Sequence, residues 1–324
     1  MKKLFSLLML ILVINISYAQ QKIENFNEFK TLDLTFRLKS TISINKLESN
    51  SKLESLRAAI SFYPQNDYRQ TVINQDLISN PEAQLLNEDS AVVFKWSNID
   101  VDTVTKLESI IDSKIKTKSE FIRINKEIKF PIQNLDESLV KYTQGTEFID
   151  TPPEIRSKAY ELISTETDLY KVVFNIANWV KTNIKYDLST LTAEVVQKSS
   201  WVLNNREGVC DEITNLFISL LRSVGIPARF VSGMVYSNLD YKWGPHGWAE
   251  VYFPEYGWLP FDVTFGQYGW IDPSHIKLKD NIDSGNPTGE YSWRAYGLDI
   301  NVGDIDLESH YTNLGEKFNS PLTL

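Results

Sequence analysis

The first part of the chain alternates polar and apolar residues with a period of two, in the runs 33–44, 91–96 and 119–128. This alternation is typical of strands that bury one face. Turn-prone residues at 63–67 separate two of the runs. We therefore predict an antiparallel β domain, a sandwich, over 20–135.

Near residue 150 the spacing of apolar positions changes to that of helices. It predicts helices over 155–163 and 170–180, and a third that begins near Cys210. Gly225 and Pro227 give the third helix a firm stop. Strands follow at 228–236, 248–253 and 258–264. A C-terminal tail over 276–324 has strand-like runs, such as 298–302, whose partners the sequence does not give.

The first residues read as an export signal. A short basic start, Met1-Lys2-Lys3, precedes an apolar stretch that ends at Ser17-Tyr18-Ala19. We predict a signal peptide at 1–19, since the stretch falls short of the roughly 20 residues that span a bilayer. A periplasmic or extracellular protein without stable membrane insertion is expected.

The composition of the chain limits the classes of partner it can bind and the roles that its cysteine can have. The formal charge of −9 argues against nucleic acid or an anionic membrane as a partner. The chain has one cysteine, so no intramolecular disulfide can form. Cys210 is therefore either a buried apolar residue of the core or a free thiol with a functional role.

The position of Cys210 favours the second reading. It opens a predicted helix, where unpaired backbone N–H groups and the helix dipole favour a thiolate. We therefore expect a pKa below that of an ordinary thiol. Gly208 lets backbone or substrate approach closely.

His246 and Asp262 lie on consecutive predicted strands. If 254–256 forms a three-residue loop, Phe253 pairs with Gly257 and the two side chains share one face of the sheet, a diagonal step apart. A loop one residue longer or shorter would turn Asp262 to the other face. The order Cys, His, Asp is that of a nucleophile, its base and the orienter of the base.

Several blocks of the sequence resemble the transglutaminase-like superfamily of papain-like cysteine enzymes. They are Gly208-Val209-Cys210-Asp211, Leu220–Arg229, His246-Gly247-Trp248-Ala249-Glu250-Val251 and Gly257-Trp258-Leu259-Pro260-Phe261-Asp262-Val263-Thr264. The resemblance covers roughly 150–275. It implies an α+β, papain-like catalytic domain there, with a nucleophile helix packed on an antiparallel sheet. Gly247 stands where the family has alanine, and Val263 where it has proline. We expect neither departure to touch the chemistry.

By this resemblance Cys210 is the nucleophile, His246 the base and Asp262 its orienter. The Cys210 backbone N–H is the natural first oxyanion donor. Gln197 or Trp201 could supply a second donor, or each could be an ordinary surface or core residue. Three aromatic residues could line a substrate cleft or belong to the core: Tyr236, Trp243 and Trp248. No metal or other cofactor is implied.

The resemblance further implies acyl transfer through a thioester. We favour hydrolysis of a peptide or amide bond in a protein or cell-surface substrate, because water is always available outside the cytosol. One alternative is a cross-linking transglutaminase, in which an amine replaces water. Another is a non-catalytic cell-surface binding module that keeps the fold. The oligomeric state and the role of the β domain stay open.

Overall fold

The computed structural model describes residues 26–88, 90–192, 196–238, 241–285 and 288–319. The predicted signal peptide at 1–19 lies outside these residues. Within the described ranges, no helix combines the length and the apolar character needed to span a membrane.

The elements follow one another in the order strands, helices, strands. The strands are β1 (Thr31–Lys46), β2 (Lys52–Ile60), β3 (Gln70–Asn80), β4 (Gln84–Glu88), β5 (Ala91–Ile99), β6 (Lys106–Lys118), β7 (Lys185–Tyr186), β8 (Glu207–Gly208), β9 (Ala228–Ser237), β10 (Lys242–Phe253), β11 (Gly257–Asp262), β12 (Gln267–Tyr268), β13 (Ile276–Asn281), β14 (Gly289–Tyr296) and β15 (Leu298–Leu314). The α-helices are α1 (Glu137–Val140), α2 (Pro153–Ile163), α3 (Leu169–Asn183), α4 (Ser199–Asn205) and α5 (Cys210–Ser223).

A β-sandwich forms the first domain, as the alternating pattern predicts. Its sheets have four strands each, in the orders β15-β1-β6-β3 and β14-β2-β5-β4. In β1 the residues Leu32, Leu34, Phe36 and Leu38 are buried and their neighbours are more exposed, so the period of two is seen directly. Residues from both sheets share one apolar core.

The predicted strand at 119–128 is wrong. These residues run without a regular strand from β6 to the second domain. Their alternation has another cause: Ile122 and Ile124 pack on the core of the second domain, and the stretch 121–127 as a whole lines an adjoining cavity of about 860 Å³. An extended linker lying on a surface produces the same period as a strand.

The strands of the predicted tail pair with strands of both domains. β13 pairs with β9 and so extends the sheet of the second domain. β14 and β15 return to the sandwich and pair with β2 and β1 at the edges of its two sheets. The second domain is thus inserted between strands of the first.

The second domain packs helices on a five-stranded antiparallel sheet, ordered β12-β11-β10-β9-β13. The helix α5 is nearly buried and lies against β9 and β10. It ends as predicted, with Gly225 at φ +79° just beyond it, a conformation that favours glycine. The α+β class and the papain-like arrangement are confirmed.

The two domains share a core. Met234 and Tyr236 of β9, with Ile276 and Leu278 of β13, pack among the buried residues of the sandwich. The sandwich therefore lies directly behind the sheet that carries the candidate catalytic residues.

Candidate active site

The start of α5 is fixed by a buried carboxylate one turn into the helix. Glu212 accepts the Val209 backbone N–H and the Thr190 hydroxyl, both at 3.0 Å. It also accepts the backbone N–H of Gln197 at 3.0 Å. These bonds satisfy part of the helix amino terminus and hold the segment before it. Cys210 is therefore held at the first position of a rigid helix.

Cys210 is half-buried, and its sulfur lies 3.5 Å from Asp211 Oδ1. Burial raises the pKa of this thiol well above its usual value, and the Asp211 charge raises it further. A hydrogen bond from the backbone of Gly247 acts in the opposite direction but does not outweigh them. The expectation of a lowered thiol pKa is therefore wrong. The helix dipole is opposed by a carboxylate that the sequence alone could not orient.

Gly247 bears on the chemistry, contrary to expectation. A Cβ there would lie 2.3 Å from the Phe230 ring and 2.6 Å from Asp211 Oδ1. The Asp211 carboxylate and the Phe230 ring thus occupy the space that an alanine methyl would need. The family's usual alanine and this Asp211 position exclude each other.

The helix and the sheet meet at His246. The Thr214 hydroxyl, one turn after Cys210 on the same face of α5, donates to the Gly247 carbonyl at 3.1 Å. This bond brings the start of α5 to the stretch of β10 that carries His246. The burial of Asp211 raises its pKa, and the nearby His246 imidazole opposes this rise.

His246 and Asp262 meet as the strand register predicts. Phe253 pairs with Gly257, and the ladder continues to the pair Ala249 and Phe261. His246 Nε2 lies 2.7 Å from Asp262 Oδ2, and both side chains are buried. Asp262 thus engages Nε2 and leaves the other ring nitrogen, Nδ1, outside this contact.

The turn after β11 holds Asp262 from its other side. Asp262 Oδ1 accepts the backbone N–H groups of Thr264 and Phe265, both at 2.8 Å. Burial alone would raise the pKa of Asp262, but the charge of His246 and the hydrogen bonds outweigh it and the net pKa is lowered. Val263 is buried, and two backbone N–H groups of the turn bond to Asp262, while the buried Thr264 hydroxyl has no partner among the described residues. The missing proline therefore does not leave Asp262 loose.

A second histidine, which sequence reasoning missed, completes the cluster. His275 is fully buried, and its Nε2 lies 3.0 Å from the same Asp262 Oδ2. Its Nδ1 lies 3.2 Å from the Asp272 carbonyl oxygen and 3.4 Å from the Asp272 carboxylate. The chain has only three histidines, which was the one available signal. Two of them lie on one carboxylate.

The charges around His275 favour its protonated form. Burial alone would lower the pKa of His275, but the Asp272 charge and the hydrogen bonds to Asp262 and Asp272 raise it to about 9. Asp272 is likewise buried, yet the His275 charge lowers its pKa. Gln267 Nε2 and the Ser274 backbone N–H each donate to Asp272 at 2.7 Å.

His246, Asp262 and His275 offer ligand atoms within 4.8 Å of one another, a spacing compatible with a metal. However, the facing atoms are 2.7 and 3.0 Å apart, which are hydrogen-bond distances. Both oxygens of Asp262 are engaged in such bonds. The geometry is that of a hydrogen-bonded chain, and we assign no metal to it.

Tyr186 is a further residue beside the thiol. β7 pairs with β8, and Tyr186 lies opposite Gly208 in that ladder. The partial burial of Tyr186 raises its pKa to about 12, and the nearby charges of Cys210 and Asp211 contribute. Its ring is 44% exposed, so it lies at the mouth of the site. No pattern in the sequence distinguished it from other exposed tyrosines.

The two proposed oxyanion donors lie before α5, on the segment held by Glu212. Gln197 is half-buried and uses its backbone N–H to bond Glu212. Trp201 is in α4 and its ring packs against the core of the second domain. Their role as oxyanion donors stays a prediction.

The proposed cleft aromatics lie elsewhere. Trp248 is 1% exposed and packs between the rings of His246 and His275, at 6.3 and 5.3 Å. Trp243 and Tyr236 contact each other and Phe26 of the sandwich side, so they join the two domains. Tyr236 also lines a small cavity of about 200 Å³ beside Phe265. Trp248 belongs to the core rather than to a cleft, because its side chain is buried and aromatic residues pack equally well there. A place in a cleft stays a prediction for Trp243 and Tyr236.

Comparisons with known proteins support the fold. Residues 156–263 match the family model described as the transglutaminase-like superfamily, which confirms the resemblance. The uncharacterized protein YebA of Bacillus subtilis is 27% identical over 186 residues, covering 48% of this chain and 25% of YebA. The chain thus spans a quarter of that relative. The uncharacterized protein ML0607 of Mycobacterium leprae is 26% identical over 296 residues, covering 88% of this chain and 93% of ML0607.

A solved structure extends the likeness beyond the matched core. The crystal structure of a proposed cysteine protease from Cytophaga hutchinsonii has a TM-score of 0.65 at 15% identity. It covers 91% of this chain and 94% of that chain. At this identity the likeness establishes a shared fold and nothing about activity.

Proposed function

We propose that this chain, whose residues 156–263 form a transglutaminase-like core, is a cysteine-dependent acyltransferase that hydrolyses peptide or amide bonds. The observation that carries the proposal is the 2.7 Å contact between His246 and Asp262 beside the helix that begins at Cys210. A carboxylate that holds an imidazole, close to a helix that begins with a cysteine, is the arrangement expected for nucleophilic acyl transfer.

The raised thiol pKa means that Cys210 rests protonated. In the proposed first step its sulfur attacks the substrate carbonyl carbon while His246 Nδ1 takes the thiol proton. The imidazolium then gives this proton to the leaving amine as the C–N bond breaks. A thioester on Cys210 remains.

In the second step water attacks the thioester, again with His246 as base, and the proton returns to the sulfur when the carboxylic acid leaves. Asp262 accepts the Nε2–H of His246 in both steps and stabilises the imidazolium. The backbone N–H of Cys210 is the proposed first oxyanion donor. An amine in place of water would make the same enzyme a cross-linker.

The proposed substrate is a protein or peptide outside the cytosol. The motive is the leader-like sequence at 1–19, which predicts export to the periplasm or beyond. The net charge of −9 favours neutral or basic substrates over nucleic acid.

The test combines peptide turnover with trapping of the intermediate. The mature protein is incubated with a broad peptide panel and cell-surface proteins in ¹⁸O-labelled water, with and without a primary amine. Acid-quenched protein is examined for an acyl adduct by intact mass. Cys210→Ser is the loss-of-function variant, and His310→Ala, at an exposed histidine on β15, is the matched control.

An adduct on Cys210 with ¹⁸O in the released acid would support hydrolysis. Products carrying the amine instead would replace hydrolysis by cross-linking. Tight binding of a surface partner with no adduct and no turnover would overturn the enzyme proposal in favour of a binding module.

A further inference from the structure

We propose that His275 is a positioning residue of this active site: a buried imidazolium that fixes Asp262 and limits how strongly Asp262 attracts the proton of His246. The catalytic part of this inference rests on the proposed function. The positions of the protons on the two histidine rings, on which the inference depends, can be established whether or not the proposed function is correct.

Counting hydrogens at Asp262 is the first step. Oδ1 accepts two backbone N–H groups, and Oδ2 receives the Nε2 atoms of both histidines, at 2.7 and 3.0 Å. Asp262 carries no proton when ionised, so each Nε2 must carry one. For His246 this leaves the lone pair on Nδ1, as general-base catalysis requires.

The same count makes His275 a cation. Its Nδ1 faces the carbonyl and the carboxylate of Asp272, at 3.2 and 3.4 Å, and both groups only accept hydrogen bonds. A neutral imidazole has one N–H and would leave one of these contacts without a hydrogen. An imidazolium satisfies both.

The surroundings of His275 match this charge. It is fully buried between the carboxylates of Asp262 and Asp272, so a neutral ring would leave two anions facing it. The other ionisable groups near it are His246, whose ring is 5.9 Å away, and Arg69, whose guanidinium bonds the Asp272 carbonyl at 3.0 Å. Arg69 opposes the cation, and the two carboxylates outweigh it.

The consequence for His246 is electrostatic. Asp262 shares Oδ2 between a neutral ring and a cation, so its pull on the His246 proton is weaker than in an isolated His–Asp pair. The cation also keeps Asp262 ionised during the reaction.

The sandwich holds the segment that carries His275. Arg69 donates to the carbonyls of Ile271 and Asp272, and the Thr117 hydroxyl donates to the carbonyl of Pro273. Gln70 exchanges hydrogen bonds with the backbone of Lys277, both at 2.9 Å. Three side chains of the first domain thus fix both ends of 271–277, and this gives the sandwich a role in the site.

The experiment reads the histidine rings directly. With three histidines in the chain, ¹⁵N NMR of the mature protein gives one pair of ring signals for each, and His246→Gln and His310→Gln assign them. We expect His275 to show two N–H groups at pH 7 and to lose one of them as the pH rises through about 9. A His275 signal that is neutral at pH 7 would overturn the proposal.

Paired variants then test the coupling to His246. In a Cys210→Ser background, so that the thiol does not titrate, His275→Gln keeps a donor at the Nε2 position toward Asp262 but loses the charge. His275→Asn keeps a donor toward Asp272 and loses the contact with Asp262. Both should raise the midpoint of the His246 signal, by about one pH unit.

In the wild-type background His275→Gln should retain more of kcat than His275→Asn, because only the asparagine releases Asp262. His310→Gln should leave both readouts unchanged. A His246 midpoint that stays the same in variants that fold, as judged by circular dichroism, would overturn the proposal. If no substrate is ever turned over, the NMR results still decide it, so the two failures are distinguishable.

Discussion

Two histidines share one oxygen of Asp262, and their environments are opposite. His246 contacts Asp262 through Nε2, and its other ring nitrogen takes no part in that contact. His275 has both ring nitrogens committed to acceptors and no exposed surface. The same side chain can carry a mobile proton in one position and a fixed one in the other. What differs is the number of acceptors that face the ring.

The largest effect on activity is expected from changing His246. His246→Ala removes the base, and we expect kcat to fall roughly a millionfold, as for comparable triads. The measurement is kcat and KM with the best peptide substrate found. His310→Ala should keep wild-type rates. A loss below about a hundredfold would mean that another group takes the thiol proton.

Asp262 lies between the two histidines, and its change should cost less than that of the base. Asp262→Asn keeps the shape but loses the charge, and we expect kcat to fall about 10⁴-fold. Because a buried His275 then loses one of its two anions, the variant should also unfold more readily. Equal, mild effects of His246→Ala and Asp262→Asn on kcat would contradict the proposed triad.

The charge of His275 should make the stability of the protein depend on pH. The pKa of His275 is raised to about 9 in the folded protein, from about 6.5 unfolded, so its stabilisation is complete below about 6.5 and is lost as pH rises through 9. Asp262 and Asp272 have lowered pKa values, and their contributions are lost as pH falls.

Urea unfolding between pH 6 and pH 10 should therefore show a decline of about 3 kcal/mol in the free energy of unfolding for the wild-type protein. His275→Gln should be less stable at pH 6 and should lack this alkaline decline. A parallel decline in both proteins would assign the titration to another group.

The smallest effect on activity is expected from changing residues of the sandwich. Arg69→Met removes the bonds to the segment that carries His275 and should cost about 1–3 kcal/mol of stability, with a modest loss of kcat. Arg57→Met, which breaks a surface ion pair of the same domain with Glu88, should cost less than about 1 kcal/mol and leave kcat unchanged. Equal losses of kcat in both variants would mean that the sandwich acts only through general stability.

The pairing of His246 with Asp262 could be predicted from the sequence, and the contact of His275 with Asp262 could not, for a physical reason. The register of β10 and β11 follows from a three-residue loop, so it is encoded within about 20 residues. Cys210 at a helix start is equally local. His275 reaches Asp262 through contacts that are distant in sequence. Arg69 and Thr117, more than 150 positions away, hold its segment, and β13, which follows it directly, pairs with β9.

The other differences have the same origin. The thiol pKa depends on where the Asp211 carboxylate points, which is set by the space that Gly247 and Phe230 leave. Tyr236 and Trp243 have the aromatic character of a cleft but face the sandwich. The partners of β14 and β15 lie near the other end of the chain, beyond any local pattern. In each case the missing information was a contact between residues far apart in the chain, within one domain or between the two.

The insertion of the second domain between strands of the sandwich also sets an order of assembly. β1 and β2 are made first on the ribosome, but their edge partners β15 and β14 are translated only after the thiol, the base and both carboxylates. A nascent chain that ends before Gly289 holds every residue of the candidate site while its sandwich is still open. Arg69 and Thr117, which hold the segment of His275, are also translated before these edge strands. Translation of the final strands therefore completes the edges of the sandwich after every residue of the candidate site has been made.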